Sequence, residues 1–343
     1  MGDSAIKEKS LFGENPASVF SSGKLKRDLF LDRLKGVAMF LVVWGHCIQY
    51  SSNSDFFHNP VFIIIYSFHM PVFMAISGYL YYLSTQKRNF KQLITIRFKQ
   101  LIIPLLIWSV ILLYLINRHQ LSTPMSWLQN YINYLPVSLW FIWSLFFCSV
   151  ILAVINKLFH DSVLVYLAAV IIIDLLPDVY SLQYTKYMLP YFISGYFVHK
   201  YNLKSRVVLS MLAFALFVVM IYYWQIDNYI YISGMAIHNI HNLYTDIYRY
   251  LIGFLGIIVF VTIMKWLPNS KPLELTGRYS LGIYIISIFP IHILHHLNLQ
   301  YNKIFFNFIF TPLLAVGIIL ICIGISMLIE KNKTLNKYLL GGK

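Results

Sequence analysis

Residues 34–50 read LKGVAMFLVVWGHCIQY, an apolar run with Lys35 at its foot and His46 eleven residues further on. A run this apolar predicts a membrane-spanning helix. At about 1.5 Å of rise per residue, His46 lies roughly 16 Å above Lys35, near the middle of the hydrocarbon layer. Because an ionisable side chain is costly at that depth, the sequence marks His46 as a candidate functional residue.

The composition of the chain is that of a membrane protein. Of its 343 residues, 59% are hydrophobic and only 12% are charged, which is about half the charged share of a soluble domain. The formal charge of +14 fits the excess of lysine and arginine in cytoplasmic loops, so no nucleic-acid partner is expected. The cysteines, Cys47, Cys148 and Cys322, fall inside apolar runs, which predicts neither a disulfide framework nor a cysteine metal site.

Repeated apolar runs predict an all-α, polytopic membrane helix bundle with about ten transmembrane helices. Most of the 27 lysines and arginines fall in alternate loops, which predicts that both termini are cytoplasmic; Lys186 and Arg249 are among the few extracytoplasmic charges. We expect a flexible cytoplasmic tail at residues 1–30, the transmembrane domain at 31–330 and a cytoplasmic C-terminal tail at 331–343. The predicted spans are 34–50, 60–83, 101–117, 135–155, 162–176, 184–199, 207–226, 246–267, 281–298 and 305–329.

A second histidine is predicted at the depth of His46. The run FHMPVFMAISGYL, residues 68–80, descends from the extracytoplasmic side and places His69 near the middle of the membrane. Pro71 removes a backbone donor and predicts a kink that frees carbonyl groups to face a cavity. Two histidines at matched depth on adjacent spans favour a shared site, with packed, hydrogen-bonded histidines as the alternative.

Cations collect at the predicted cytoplasmic ends of the first three spans. Lys35 lies at the start of the first span, and Arg97 and Lys99 lie just before the third. Membrane topology and lipid head-group contacts explain most of these charges. The alternative is a docking site for an anionic ligand with phosphate groups, which both guanidinium and ammonium groups suit. The rim also contains Lys87, Arg88 and Lys91.

The remaining histidines and the tryptophans allow weaker interpretations. His292 and His296 are spaced as metal ligands on one helical face can be, but the sequence offers no third ligand nearby, so no metal is expected. Trp140 and Trp143 are typical of an interfacial aromatic belt, with a stacking wall for a sugar or an adenine as the alternative. A solvated polar loop is favoured over a metal or sugar site for the segment containing Asp227, His238, His241 and Asp246.

Six blocks distributed across nearly the whole chain carry a family resemblance: LDRLKGVAMFLVVWGH (31–46), FHMPVFMAISGY (68–79), RFKQLIIP (97–104), LWFIWSLF (139–146), LPYFISGYF (189–197) and YSLGIYIIS (279–287). At these blocks the chain resembles the acyltransferase 3 family of bacterial integral-membrane acyltransferases. The blocks follow the family's order, and the first two are the more specific. The resemblance implies ten spans, in agreement with the count from the apolar runs.

Two departures from the family pattern concern basic residues. The family's Arg-x10-His motif reads Lys35-x10-His46 in this chain, so the charge is kept and the bidentate guanidinium fork is lost. The family's Arg-x2-Arg pair before the third span reads Arg97-Phe98-Lys99-Gln100, in which Lys99 is one position from the expected second arginine.

The resemblance implies transfer of an acyl group, commonly acetyl, from cytoplasmic acyl-CoA to a hydroxyl of a surface or exported glycan, in the bacterial inner membrane. Succinyl is the alternative acyl group. The expected partners are membrane lipids and a glycan or lipid-linked sugar acceptor, reached directly or through a separate extracytoplasmic transfer protein.

The expected catalytic residues are His46, as general base or transient acyl carrier, and His69, which orients His46 or binds the oxyanion. Lys35, Arg97 and Lys99 are expected to bind the phosphates of acyl-CoA. The main rival is a polysaccharide or proton-coupled transporter, which kinked spans and buried histidines also suit. Asp174, the only carboxylate well inside a predicted span, lies near its extracytoplasmic end, which weighs against a proton relay.

Overall fold

A computed structural model describes residues 27–52, 55–117, 124–159, 161–204, 206–237, 239–294 and 303–342. Most of the predicted N-terminal tail, up to residue 26, lies outside the described residues. The described chain is built from helices, which confirms the all-α prediction. The first eight helices are α1 (Leu29–Ser51), α2 (Pro60–Thr85), α3 (Phe90–Arg97), α4 (Ile103–Asn117), α5 (Pro124–Ser138), α6 (Trp140–Phe159), α7 (Val163–Asp174) and α8 (Leu182–Lys200).

The second half of the chain continues the bundle. A π-helical turn, Phe98–Ile102, joins α3 to α4, so this helix begins before the predicted span at residue 101. A second π-helical turn, Phe306–Phe310, joins α15 to α16. The remaining helices are α9 (Val207–Tyr222), α10 (Ile230–Ser233), α11 (Ile240–Trp266), α12 (Lys271–Arg278), α13 (Ser280–Ile286), α14 (Ile288–Leu294), α15 (Lys303–Phe305), α16 (Thr311–Lys331) and α17 (Lys333–Leu339).

Five helices of the described chain are long and apolar enough to cross a membrane, or six if the pair bent by 66° between Lys271 and Leu294 is one span. They are Pro60–Thr85, Phe90–Leu115, Trp140–Phe159, Ile240–Trp266 and Lys303–Lys331. α1 and α8 have 23 and 19 residues, and both carry polar side chains on their buried faces, as interior helices of a bundle can. The total of about ten spans and the cytoplasmic location of both termini stay predictions.

The close packing of α2 against α8 depends on glycine. A Cβ atom at Gly78 would lie 1.9 Å from the Phe192 carbonyl oxygen, and one at Gly195 would lie 1.9 Å from the Ala75 oxygen. Small residues at such contacts let helix backbones approach closely, which is how helices associate in membranes without a hydrophobic driving force. α2 continues through Pro71 as one helix, so this interface fixes the whole segment that contains His69.

The C-terminal residues of the described chain return to the bundle. α17 packs against α4, where the Trp108 indole Nε1 donates a hydrogen bond of 2.8 Å to the Leu339 carbonyl oxygen. Gly341 has φ of +62°, a left-handed conformation that favours glycine, and it lies against the Gln100 backbone. The segment predicted as a C-terminal tail thus contains a packed helix.

Candidate active site

His46 lies on the last turns of α1 and is half-buried. Its Nδ1 atom is 3.2 Å from the Gln49 side-chain oxygen and 3.3 Å from the Tyr66 hydroxyl. The Tyr66 hydroxyl in turn donates a hydrogen bond of 3.2 Å to the same Gln49 oxygen. The three side chains therefore form one closed hydrogen-bonded cluster between α1 and α2.

This cluster selects one tautomer of the His46 ring. The amide oxygen of Gln49 can only accept, so the proton between the two residues belongs to Nδ1 of His46. A neutral imidazole protonated at Nδ1 carries its lone pair at Nε2. No described residue hydrogen-bonds to Nε2, so this nitrogen can take a proton from a substrate or attack an acyl carbon.

His69 lies on α2, one turn after Tyr66, and is buried. Its Nδ1 donates a hydrogen bond of 2.6 Å to the Ile65 carbonyl oxygen, and its ring centroid is 4.8 Å from that of Tyr66. Among the described residues, no hydrogen bond joins His69 directly to His46. Both sequence-predicted histidines therefore contact Tyr66, His46 at the hydroxyl and His69 at the ring.

Gln49 and Tyr66 were missed by the sequence analysis, although a helical signal was available for each. Gln49 follows His46 by three residues, and Tyr66 precedes His69 by three residues, spacings that place each pair on one helical face. A polar residue near the end of a span ordinarily indicates the membrane interface, and Tyr66 is one of 26 tyrosines. Neither position therefore stood out from its surroundings.

An aromatic wall, defined as Phe57, Phe62, Tyr66, Tyr229 and Tyr231, adjoins this cluster. The Phe62 and Tyr66 rings stack at 3.8 Å, and Tyr231 meets Tyr66 edge-on at 6.0 Å. Tyr229 and Tyr231 stack at 5.6 Å, and the Tyr229 hydroxyl donates to the Phe57 carbonyl oxygen at 2.9 Å. Tyr229 is 2% exposed and Tyr231 is 39% exposed, so Tyr231 forms the accessible edge of the wall.

Arg249 holds the 227–235 segment, which carries Tyr229 and Tyr231. Its side chain, on α11, is 1% exposed and forms a buried ion pair of 2.8 Å with Asp246. All three nitrogens of the Arg249 guanidinium donate to backbone or side-chain acceptors of the segment, which fixes the segment against α11. These acceptors are the carbonyl oxygens of Asp227, Asn228 and Gly234 and the Ser233 hydroxyl.

A second buried ion pair supports the same segment. Lys186 is fully buried and lies 2.8 Å from a carboxylate oxygen of Asp178. The other carboxylate oxygen of Asp178 accepts the Met235 backbone N–H at 2.6 Å. The sequence analysis counted Lys186 and Arg249 as loop charges. Their burial in ion pairs is a tertiary feature that a count of loop charges does not detect.

The three predicted donor-binding cations occupy different surroundings. Lys35 is paired with the buried Asp32 at 2.8 Å, and Arg27 approaches the same carboxylate. Arg97 is half-buried with its guanidinium carbon 5.2 Å from the Tyr81 ring centroid. Lys99 lies in the π-helical turn and is exposed.

Arg33 is a further cation near the start of α1 that the sequence analysis did not select. Its Nε and Nη1 atoms are buried and have no hydrogen-bond partner among the described residues. Its guanidinium carbon lies 5.6 Å from the centroid of the Phe30 ring. Buried donors without acceptors are unusual and often mark a missing ligand or water.

The predicted polar loop near residue 227 contains a cavity of about 130 Å³. Asp227 and His241 line it, with His241 Nε2 3.8 Å from an Asp227 carboxylate oxygen. His238 and His296 lie outside the described residues. Within the described ranges, no three His, Cys, Asp or Glu side chains lie close enough to hold one metal ion.

Comparison with known proteins identifies the family of this chain. A family model of the acyltransferase domain, of the acyltransferase 3 type, matches residues 28–329. The chain belongs to the acyltransferase 3 family. The match covers the cluster around His46, the aromatic wall and both buried ion pairs. The family resemblance seen in the sequence is thereby confirmed, and this segment is an acyltransferase domain.

Two curated relatives support the same assignment. The chain is 30% identical over 237 residues to Nodulation protein NolL of Mesorhizobium japonicum, covering 64% of this chain and 62% of that protein. It is 31% identical over 235 residues to Nodulation protein NolL of Sinorhizobium fredii, covering 64% of this chain and 63% of that protein. The chain thus matches less than two thirds of the length of these relatives. No solved structure matches the chain.

Proposed function

We propose that this protein is a bacterial inner-membrane O-acyltransferase with about ten spans and both termini in the cytoplasm. It transfers an acyl group, which we propose is acetyl, from cytoplasmic acyl-CoA to a hydroxyl of a cell-surface or exported glycan. The observation that carries the proposal is the half-buried imidazole of His46, held by Gln49 and Tyr66 with Nε2 available, inside an acyltransferase domain.

His46 acts as general base in the simpler form of the mechanism. Nε2 takes the proton of the acceptor hydroxyl while the hydroxyl oxygen attacks the thioester carbonyl. The tetrahedral intermediate collapses, the carbon–sulfur bond breaks, and the CoA thiolate takes the proton from the imidazolium and leaves as a thiol. Nδ1 stays hydrogen-bonded to Gln49, which fixes the ring throughout. The His69 ring packs against Tyr66 and so supports the cluster.

An acyl-histidine intermediate is the alternative form. Nε2 attacks the thioester carbonyl, the carbon–sulfur bond breaks, and CoA leaves as a thiolate that takes a proton from water. The acceptor hydroxyl then attacks the carbonyl of the acyl-imidazolium, the bond from carbon to Nε2 breaks, and Nε2 takes the hydroxyl proton and later releases it to water. Both forms need the same tautomer of His46. They differ in whether labelled acyl groups accumulate on the protein before the acceptor is added.

Acyl-CoA enters from the cytoplasmic side in this proposal. Arg97 suits a phosphate because its guanidinium has no carboxylate partner in the described chain. Lys99 is exposed and can reach a solvated phosphate, whereas Lys35 contributes while it remains paired with Asp32. Arg33 is an additional candidate because two of its buried donors have no partner among the described residues.

The direct test is transfer across a membrane by the purified protein in proteoliposomes. Labelled acetyl-CoA is supplied on the face that carries the C-terminus, and a glycan is supplied on the opposite face. The proposal predicts label on the glycan and release of CoA thiol, both dependent on the protein. Uptake of glycan without thiol release would instead identify a carrier and contradict the proposal.

A further inference from the structure

Several hydrogen bonds from buried charged side chains fix the 227–235 segment in place. Arg249 binds three of its carbonyl oxygens and the Ser233 hydroxyl, and Asp178 binds the Met235 N–H. The ion pairs of Arg249 with Asp246 and of Lys186 with Asp178 thus support this segment. A rigid segment loses little conformational entropy when it binds a ligand, so this arrangement suits a binding surface.

Tyr231 is an exposed aromatic side chain on this fixed segment. Its ring contacts Tyr66, Tyr229 and Phe57 at centroid distances of 6.0, 5.6 and 6.1 Å, and 39% of the residue remains exposed. Tyr229 differs, because it is buried and its hydroxyl is used to bind Phe57. The Tyr231 hydroxyl has no hydrogen-bond partner in the described part of the chain.

The Tyr231 hydroxyl is a neutral donor. Burial by the surrounding rings raises the pKa of the Tyr231 phenol, and the nearby phenols of Tyr66 and Tyr229 act in the same direction. The group therefore keeps its proton at any physiological pH and can donate to an oxygen of a ligand. An exposed aromatic face next to such a donor combines apolar contact area with a specific hydrogen bond.

The aromatic wall offers no free cation to an anionic ligand. None of its five members is ionised, and the nearby charges of Arg249 and Lys186 are paired with Asp246 and Asp178. An anionic group placed here would lose hydration without gaining a free cation. A neutral, hydroxyl-rich ring with apolar C–H faces fits both the aromatic surface and the unpaired hydroxyl.

We propose that the aromatic wall is the acceptor site and that the exposed face of Tyr231 stacks against a neutral pyranose ring. This inference rests on the proposed function and assigns the sugar to a specific surface. Tyr66 links the two parts of the site, because its ring contacts Tyr231 and its hydroxyl contacts His46 Nδ1. In this proposal a pyranose on Tyr231 presents one of its hydroxyls to His46 Nε2.

Binding is tested first, independently of turnover. Saturation-transfer NMR on the purified protein uses methyl glucopyranoside, methyl galactopyranoside and methyl mannopyranoside as probes, with methyl glucuronide as the charged comparison. We expect signal from at least one neutral pyranoside, loss of that signal in Tyr231→Ala, and a weaker signal from the glucuronide. Equal binding of neutral pyranosides by Tyr231→Ala and the wild type overturns the assignment of the sugar to this wall, as does preferential binding of the glucuronide.

Kinetics then separate the acceptor from the donor. Tyr231→Ala should raise the acceptor KM by about tenfold, the equivalent of about 1.4 kcal/mol, and leave the acyl-CoA KM unchanged. Tyr231→Phe keeps the ring and loses the hydroxyl, so it should raise the acceptor KM by less than Tyr231→Ala does. Because it preserves the packing of the ring, it also distinguishes a binding effect from a folding defect. Tyr222→Ala removes a tyrosine that is 83% exposed at the end of α9 and is the matched control.

The two proposals fail in distinguishable ways. An increase in both KM values of Tyr231→Ala, or an unchanged acceptor KM, contradicts the acceptor site while leaving acyl transfer in place. Pyranoside binding that depends on Tyr231, in a protein that releases no CoA thiol, contradicts the acyltransferase proposal while supporting the sugar site.

Discussion

At the level of single residues, the chemistry depends on which nitrogen of His46 carries the proton. Gln49 determines this because its amide oxygen accepts from Nδ1. The same oxygen accepts from Tyr66, so one side chain orders both partners. Gln49 is a positioning residue, since it acts on the reaction through His46 rather than by touching the substrate.

Gln49→Leu and Gln49→Glu should change activity in different ways. Leucine removes the acceptor for Nδ1–H, and we expect kcat to fall by about fivefold or more because a net hydrogen bond is worth roughly 1 kcal/mol and the ring loses its orientation. Glutamate keeps the acceptor and stabilises the imidazolium, so the acidic limb of the rate profile should move to higher pH. The pH profile of kcat/KM measures both, and identical profiles for all three proteins would contradict the role of Gln49.

Arg97 is expected to act on the donor side. Arg97→Gln should raise the acyl-CoA KM by about tenfold, because a charge-assisted hydrogen bond to phosphate contributes roughly 1.5–3 kcal/mol. The acceptor KM should not change. Lys91→Gln removes an exposed cation from the same helix and is the control. If both variants raise the acyl-CoA KM equally, Arg97 has no specific role and the charges act only through the surface potential.

At the scale of elements, α2 must stay against α8 for Tyr66 and His69 to meet α1. The contact leaves no room at Gly195, where a Cβ atom would lie 1.9 Å from a carbonyl oxygen. Gly195→Leu should therefore destabilise the fold by about 3 kcal/mol or more, since overpacking here displaces backbone. Thermal unfolding in detergent measures this. Gly317→Leu is the control, because nothing lies within 4 Å of that position, and equal melting temperatures for the two variants would contradict the packing argument.

The 227–235 segment should depend on Arg249 in the same way. Arg249→Met leaves the carboxylate of Asp246 buried without its partner, which costs about 3–5 kcal/mol. It also releases the segment that carries Tyr231. Arg278→Met is the control, because Arg278 pairs with Glu330 at 3.6 Å on the surface, and such pairs contribute about 0–1 kcal/mol. Similar unfolding temperatures for the two variants would show that the Arg249 network does not hold the fold.

For the whole molecule, the sequence predicts the fold class well and the tertiary contacts poorly. Apolar runs indicate a helical membrane protein, and the blocks around His46 and His69 indicate the family, because both signals are local in the chain. Gln49 and Tyr66 become significant only when α1 and α2 are packed together. Arg249 was counted as a loop charge, since burial in an ion pair depends on residues far apart in sequence.

The role of His46 is tested by the rate of acetyl transfer by His46→Ala. A general base contributes about 10² to 10⁴ in rate, so the account predicts a loss of at least a hundredfold in a protein that inserts and unfolds like the wild type. His292→Ala, which removes an exposed histidine outside the cluster, should transfer normally. Transfer by folded His46→Ala at the wild-type rate would contradict the assignment of the chemistry to this imidazole.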